Sequence, residues 1–161
     1  MDVAGFAGWY ETEHPKLVSA LTVAAGDVAL AAESADEAFA RAYERWERVG
    51  AMTSPGGWTY RTALNVLRRR RQRAAIEVRL HLRRPPTVSI PADWSAEVWD
   101  ALARLPTRER TAVALRYVAD LATDDIARAM GVAPGTVGST LNAARRNLAA
   151  MLTDLEEVTD V

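Results

Sequence analysis

Residues 123–151, TDDIARAMGVAPGTVGSTLNAARRNLAAM, carry a pattern that suits a pair of helices and nothing else. A short helix is predicted up to Met130, with Asp124 and Asp125 in its first turn, where carboxylates favour the positive end of the helix dipole. Gly131-Val132-Ala133-Pro134 forms a tight turn. A second helix opens at about Gly135 and places Val137, Leu141, Ala144, Leu148 and Met151 on a single stripe, at spacings of three and four. Short helix, four-residue turn and longer amphipathic helix make a helix-turn-helix, whose second helix presents its N-terminal residues to base edges in the major groove. Thr136, Ser139, Thr140, Asn142 and Arg146 lie off the stripe, with Arg145 on its flank. These side chains have the donors and acceptors that read bases or grip phosphates. A helical hairpin with a merely polar outer face would show the same spacing.

Upstream of this motif strand signals are nearly absent, so the chain is expected to be all-α. Pro106-Thr107 starts a helix running to about Leu121, with Ala112, Leu115 and Val118 facing inward, and Asp93 is the expected cap of a helix bearing Val98, Trp99, Leu102 and Leu105. In the first half, Pro15 should kink or split, after His14, a helix that begins near Val3. Asp27 then caps a long helix in which Val28, Ala31, Ala35, Ala38, Phe39, Ala42, Trp46 and Val49 share one face, with Glu33, Glu37 and Glu44 opposite. Ser54-Pro55 is an N-cap followed by proline at the first helical position. The helix that follows buries Tyr60, Ala63, Leu64 and Leu67 and runs into Arg68-Arg69-Arg70-Arg71-Gln72-Arg73. From Ile76 the pattern turns to a period of two: either the helix runs on with imperfect patterning or, as favoured, it stops near Ala75 and residues 76–92 form a linker, with Pro85, Pro86 and Pro91 at its far end. The expected architecture is two small helical domains, 1–75 and 93–161, on that linker. Its alternating apolar side chains are expected to hold the two domains together in the free protein and mask DNA-binding faces.

The net charge of −1 hides a strong asymmetry: residues 61–84 hold nine arginines and one acid, whereas residues 1–60 hold nine acids and four bases. One acid, Glu77, cannot neutralise nine arginines locally, so this segment is the electrostatic footprint of a polyanion-binding surface. The absence of cysteine excludes disulfides, thiolate metal sites and thiol catalysis, and two histidines make a histidine metal cluster improbable. No metal or cofactor is therefore expected. There is no run of about 18 apolar residues, and Asp2 stands where a signal peptide would be basic, so membrane insertion is not expected and the location is expected to be cytoplasmic. No phosphate-binding glycine loop and no paired nucleophile and base appear, which argues against an enzyme.

Leu105-Pro106, Arg110, Leu115-Arg116-Tyr117, Ile126-Ala127, residues 135–141 and Ala144-Arg145 together resemble the fourth conserved region of extracytoplasmic-function (ECF) RNA polymerase sigma factors. Ala38-Phe39, Arg41-Ala42, Trp46, Ser54-Pro55, Trp58, Asn65 and the arginine run resemble their second region, in the family's order. The resemblance implies a region 2 three-helix bundle and a region 4 four-helix domain. It implies that core RNA polymerase docks on the acidic ridge of Glu33, Asp36 and Glu37, with Arg41 beside it. It further implies that Trp58, Arg61, Asn65, Arg68, Arg69, Arg70 and Arg71 hold the separated strands of promoter DNA at the minus-ten element, with Tyr60 as another ring. Residues Thr136, Ser139, Thr140, Asn142, Arg145 and Arg146 would meet the minus-thirty-five element. An anti-sigma factor is a further partner the resemblance suggests.

The chain departs from the family pattern at several of these positions. Glu33 and Asp36 stand where aspartate and glutamine are usual, and Gly138, Thr140 and Ala143 stand where cations are usual. Two other functions stay open at this point: a sigma-like protein that has lost promoter binding and titrates a partner, and a helix-turn-helix regulator that needs no polymerase.

Overall fold

Capping residues set the boundaries of the first three long helices in the computed structural model, which describes residues 2–81 and 94–159. Asp2 accepts from the Gly5 amide (2.9 Å) and opens α1, Val3–Ala25. Gly26 closes it in the left-handed conformation (φ 69°), where a side chain would be strained. Asp27 caps α2, Val28–Glu44, through the Leu30 amide (3.0 Å), and Ser54 caps α4, Pro55–Arg79, through the Gly57 amide (3.0 Å). Between them lies one short turn of helix, α3, Trp46–Val49. Beyond residue 93 come α5, Ala96–Arg104, and α6, Thr107–Val113, which continues into a π-helical turn at Ala114–Val118. The helices α7, Thr123–Met130, and α8, Pro134–Thr159, complete the chain. All regular structure among the described residues is helical, as expected.

Four boundaries differ from expectation. Pro15 lies inside a continuous α1, because the turns before it are held by Phe6, Trp9 and Tyr10 packing against the core and those after it by Leu17, Ala20 and Leu21. The long α2 breaks at Arg45, and Trp46 turns toward α1, where its ring meets Phe6 (5.2 Å) and Trp9 (4.9 Å). Ser95, not Asp93, caps α5 by accepting from the Val98 amide (3.3 Å). The fourth is α4, which passes Ala75 and ends only at Arg79, followed by His81 with φ 59°. Residues 76–79 are thus helical. A lone strand would leave its backbone groups without partners, whereas Ala74, Ala75, Glu77 and Arg79 are good helix formers and the helix satisfies its own hydrogen bonds. Ile76 and Leu80, four residues apart, remain 55% and 61% exposed. The rest of the proposed linker, and its prolines, lie outside the described residues.

The first half is a bundle of α1, α2 and α4 around Leu17, Leu21, Phe39, Tyr60 and Leu67. Ala31, Ala35, Ala38 and Ala42 are fully buried along α2, and their small side chains let α1 and α4 approach it closely. Three buried hydroxyls are satisfied within their own helices: Thr22 donates to Val18 O (2.8 Å), Ser34 to Leu30 O (2.7 Å) and Thr59 to Pro55 O (2.9 Å). In the second half, α5 to α8 enclose Trp99, Leu102, Leu115, Ile126, Val137 and Leu141.

The halves are not held apart. Their buried residues form one continuous apolar cluster, with α1 packed on α6 and the π-helical turn, and α4 packed on α7. Arg110 ties them together: its Nε donates to Ala24 O (3.2 Å) at the carbonyl end of α1, and its Nη1 to Ala103 O (3.1 Å). Those carbonyls are the negative ends of two helices, where a guanidinium is favourable. Burial first, and then the neighbouring charge of Arg71, pull the Arg110 pKa below the ordinary guanidinium range.

Tyr60 is fully buried, and its Oη has no hydrogen-bond partner among the described residues. Burial, then the charge of Glu13, push its pKa above the ordinary phenol value. The native state therefore holds this proton more tightly than the unfolded chain. Its contribution to stability is complete below about pH 10, the ordinary tyrosine value, and is lost as the pH rises beyond it. Tyr60→Phe removes an unsatisfied buried hydroxyl and is expected to stabilise by about 1 kcal/mol. It should also flatten the alkaline loss of stability; urea unfolding compared at about pH 7 and about pH 10.5 checks both.

Candidate nucleic-acid interface

The helical period of α4 distributes the arginine run over different faces. Arg70 points at α2, where Nη1 donates to Glu33 Oε2 (2.9 Å) and Nη2 to Glu37 Oε2 (2.8 Å). Its Nε is buried without a partner among the described residues. Arg41 also pairs with Glu37. The Arg70 hydrogen bond is the main cause holding the Glu37 carboxyl below the usual carboxylate range; burial opposes it, and the charges of Arg41, Arg70 and Arg69 add to it. Arg69, Arg70 and Arg73 thus line a groove of about 470 Å³ with Arg41, Glu33 and Glu37. The ridge assigned to polymerase and part of the run assigned to DNA face each other in one ion-pair network. The third ridge carboxylate, Asp36, bonds His14 Nε2 (2.8 Å) instead.

Arg68 and Arg71 point the other way. With Asn65 and Gln72 they line a cleft of about 300 Å³ whose far wall is Thr107, Thr111, Ala129 and Met130 from the second half. Asn65 Oδ1 accepts from Arg68 Nη2. Arg61 and Arg69 are exposed and Trp58 is half-buried. Tyr60, at 0% exposure, cannot stack on a base, which corrects the role suggested for it. The expected cationic surface is therefore two arginine clusters on different sides of one helix, and the Arg68–Arg71 side abuts the helix-turn-helix half.

In that half the sharp turn is set by Gly131, left-handed at φ 68°, with Val132 N donating to Ala127 O (3.0 Å). Ile126, Val137 and Leu141 pack α8 on α7. This seating leaves Ser139, Asn142, Arg145 and Arg146 exposed, with Thr136 and Thr140 half-buried. The Ser139 (3.0 Å) and Thr140 (2.7 Å) hydroxyls both donate to Thr136 O, so each keeps lone pairs for an outside donor. Arg145 donates through Nη1 to Asn142 Oδ1 (3.1 Å) and through Nε to Tyr117 Oη (2.8 Å). All six predicted residues lie on α8, and none contributes to the stripe of Val137, Leu141 and Ala144.

Residues 95–148 match the family model described as sigma-70, region 4. This span takes in α5 to α7 and most of α8, so the helix-turn-helix belongs to the region 4-like half. Over the whole chain, the fold is similar to that of the sigma factor RpoE from Bartonella quintana, solved in complex with the anti-sigma factor NepR. The TM-score is 0.81 at 20% identity, covering 94% of this chain and 98% of that one. No curated protein matches the chain. The likeness extends across the first half too, where the region 4 model does not reach. Among the described residues no helix is long and apolar enough to cross a membrane.

Two residues with a place in this arrangement were quoted from the sequence only within a motif and given no role of their own. Arg110 was legible only as part of a motif, since its acceptors Ala24 and Ala103 come from separate helices. Tyr117 carried a usable signal: it falls off the inward stripe of Ala112, Leu115 and Val118, an unusual place for an aromatic.

Proposed function

We propose that this chain is an ECF-type sigma factor that binds core RNA polymerase and directs promoter recognition and transcription initiation. The observation that carries this is the sigma-70 region 4 match over 95–148 in a chain whose whole fold is similar to a sigma factor. In this reading α8 meets the minus-thirty-five element through Thr136, Ser139, Thr140, Asn142, Arg145 and Arg146. Trp58, Arg61, Asn65, Arg68, Arg69 and Arg71 hold separated strands at the minus-ten element, by ring contact and phosphate pairing. Arg70 joins them only if it leaves Glu33 and Glu37. Glu33, Asp36, Glu37 and Arg41 form the polymerase-docking ridge, and Arg70 and His14 hold three of its carboxylates until a basic partner exchanges with them. Core polymerase and promoter DNA are the partners, an anti-sigma factor is a further one, and the setting is the cytoplasm.

The cleft adds a requirement. Arg68 is exposed, but Asn65 and Arg71 are half-buried in the cleft beside α7, so melted DNA gains full access to them when the halves separate. Polymerase, by gripping each half separately, supplies the energy to keep them apart.

The test is to mix the chain, core polymerase and genomic DNA fragments, and sequence the transcripts. Discrete start sites are expected with polymerase, while single-stranded DNA bound by the chain alone is held at least about tenfold more weakly than in the holoenzyme. Polymerase binding with no discrete start sites would instead favour a titrating, sigma-like protein, the alternative that the cation-poor face of α8 favours.

A further inference from the structure

The π-helical turn at Ala114–Val118 presents an aromatic side chain that the proposed function leaves unused. Tyr117 is 57% exposed, although Leu115 beside it is buried. The turn around it is wide: Ala119 N bonds Ala114 O (3.1 Å), five residues back, and Leu121 N bonds Leu115 O (3.0 Å), six back. Position 117 lies off the buried stripe already at helical spacing, the wider turn interrupts the regular bonding around it, and such insertions recur at functional sites. The turn's exit is pinned by Arg116, whose Nη1 donates to Leu121 O (3.0 Å) and whose Nη2 donates to Thr123 Oγ1.

What Tyr117 touches is Arg145. The Arg145 guanidinium carbon lies 5.8 Å from the ring centroid, and Nε donates to the phenol oxygen (2.8 Å). With Nη1 on Asn142 Oδ1, two nitrogens are committed, and Nη2 has no partner among the described residues. A long, exposed side chain that would otherwise sample many rotamers is thereby held in one place, with one nitrogen left for an outside acceptor. The position is the flank of α8, next to the exposed row of Ser139, Asn142 and Arg146. A helix seated in a major groove has phosphates at its flanks.

We propose that Tyr117 is a positioning residue for duplex DNA: it fixes Arg145 at the edge of the recognition helix so that the guanidinium meets a backbone phosphate. The inference rests on the proposed function and adds a fixed cation to a helix face that has Gly138, Thr140 and Ala143 where cations are usual. The ring supplies a face for the guanidinium, and the hydroxyl orients it.

Phosphate contacts carry no sequence information, so the probe is a random-sequence 25-base-pair duplex. Binding to the full chain is followed by fluorescence anisotropy over a salt series. The outer face of α8 is exposed in this arrangement, so polymerase is not needed. Arg145→Ala is expected to weaken binding and to lower the salt slope by about 0.9. Tyr117→Phe keeps ring and charge; it should weaken binding about fivefold, leave the slope unchanged and leave the thermal midpoint unchanged. Tyr117→Ala should weaken binding further.

Wild-type binding by Tyr117→Phe, alongside a weakened Arg145→Ala, would overturn the inference and leave the function standing. So would affinity losses at Tyr117 that only follow losses of thermal midpoint, since those describe a structural brace. Unchanged slope and affinity in Arg145→Ala would remove both the inference and Arg145 from the interface. No duplex affinity in the wild-type chain would count against the DNA-binding function itself.

Discussion

With Arg68 and Arg71 both replaced by alanine, initiation at the mapped start sites is expected to fall about 100-fold or more while the fold is retained. A charged hydrogen bond to phosphate is worth about 1.5–3 kcal/mol, and two are lost. The salt slope of single-strand binding in the holoenzyme should drop by about 0.7 for each contact removed. Alanine is the informative replacement. Glutamate at position 71 would be drawn to Arg110 across the cleft and would hold the halves closed, confounding loss of grip with loss of opening. Arg70 makes the necessary contrast: reversing its charge sets a third carboxylate against Glu33 and Glu37 and should lower the thermal midpoint. Normal initiation by the Arg68→Ala/Arg71→Ala variant would remove α4 from the strand-holding role.

Phe39→Ala is expected to cost about 3–5 kcal/mol. For a chain of this length that is a fall of about 10 °C in thermal midpoint. The ring is 2% exposed and is surrounded by Trp9 (5.0 Å), Tyr10 (5.1 Å) and His14 (5.3 Å), so its removal opens a cavity among side chains that cannot collapse together. The loss should reach function as well. His14 packs on that ring while bonding Asp36, so a disturbed cluster unseats one of the ridge carboxylates, and polymerase affinity should fall beyond the fraction of chain unfolded. Differential scanning calorimetry with a polymerase-binding titration measures the two parts. A midpoint within about 3 °C of wild type would show that the cluster is not what holds α1 on α2.

The helix-turn-helix was legible because its evidence is local. Glycine at 131, proline at 134 and the stripe of Val137, Leu141 and Ala144 fix turn and buried face within thirty residues, and the structure keeps them. The caps at Asp27 and Ser54 were legible for the same reason. The helix through Ile76 to Arg79 was misjudged because alternation over a few residues fits either period, and what separates them is whether a neighbouring strand exists to take the hydrogen bonds.

From composition and spacing alone, then, come the all-helical class, the exposed polar face of α8 and the concentration of positive charge in residues 61–84. Tertiary structure settled the destinations of those charges: Arg70 to the carboxylates of α2, Arg68 and Arg71 to a cleft against α7, Arg145 to Tyr117. The physical reason is one of range. Caps and stripes are set by residues three or four apart, whereas an arginine's partner is chosen by which helix lies across from it, and that is decided by packing of the whole apolar core.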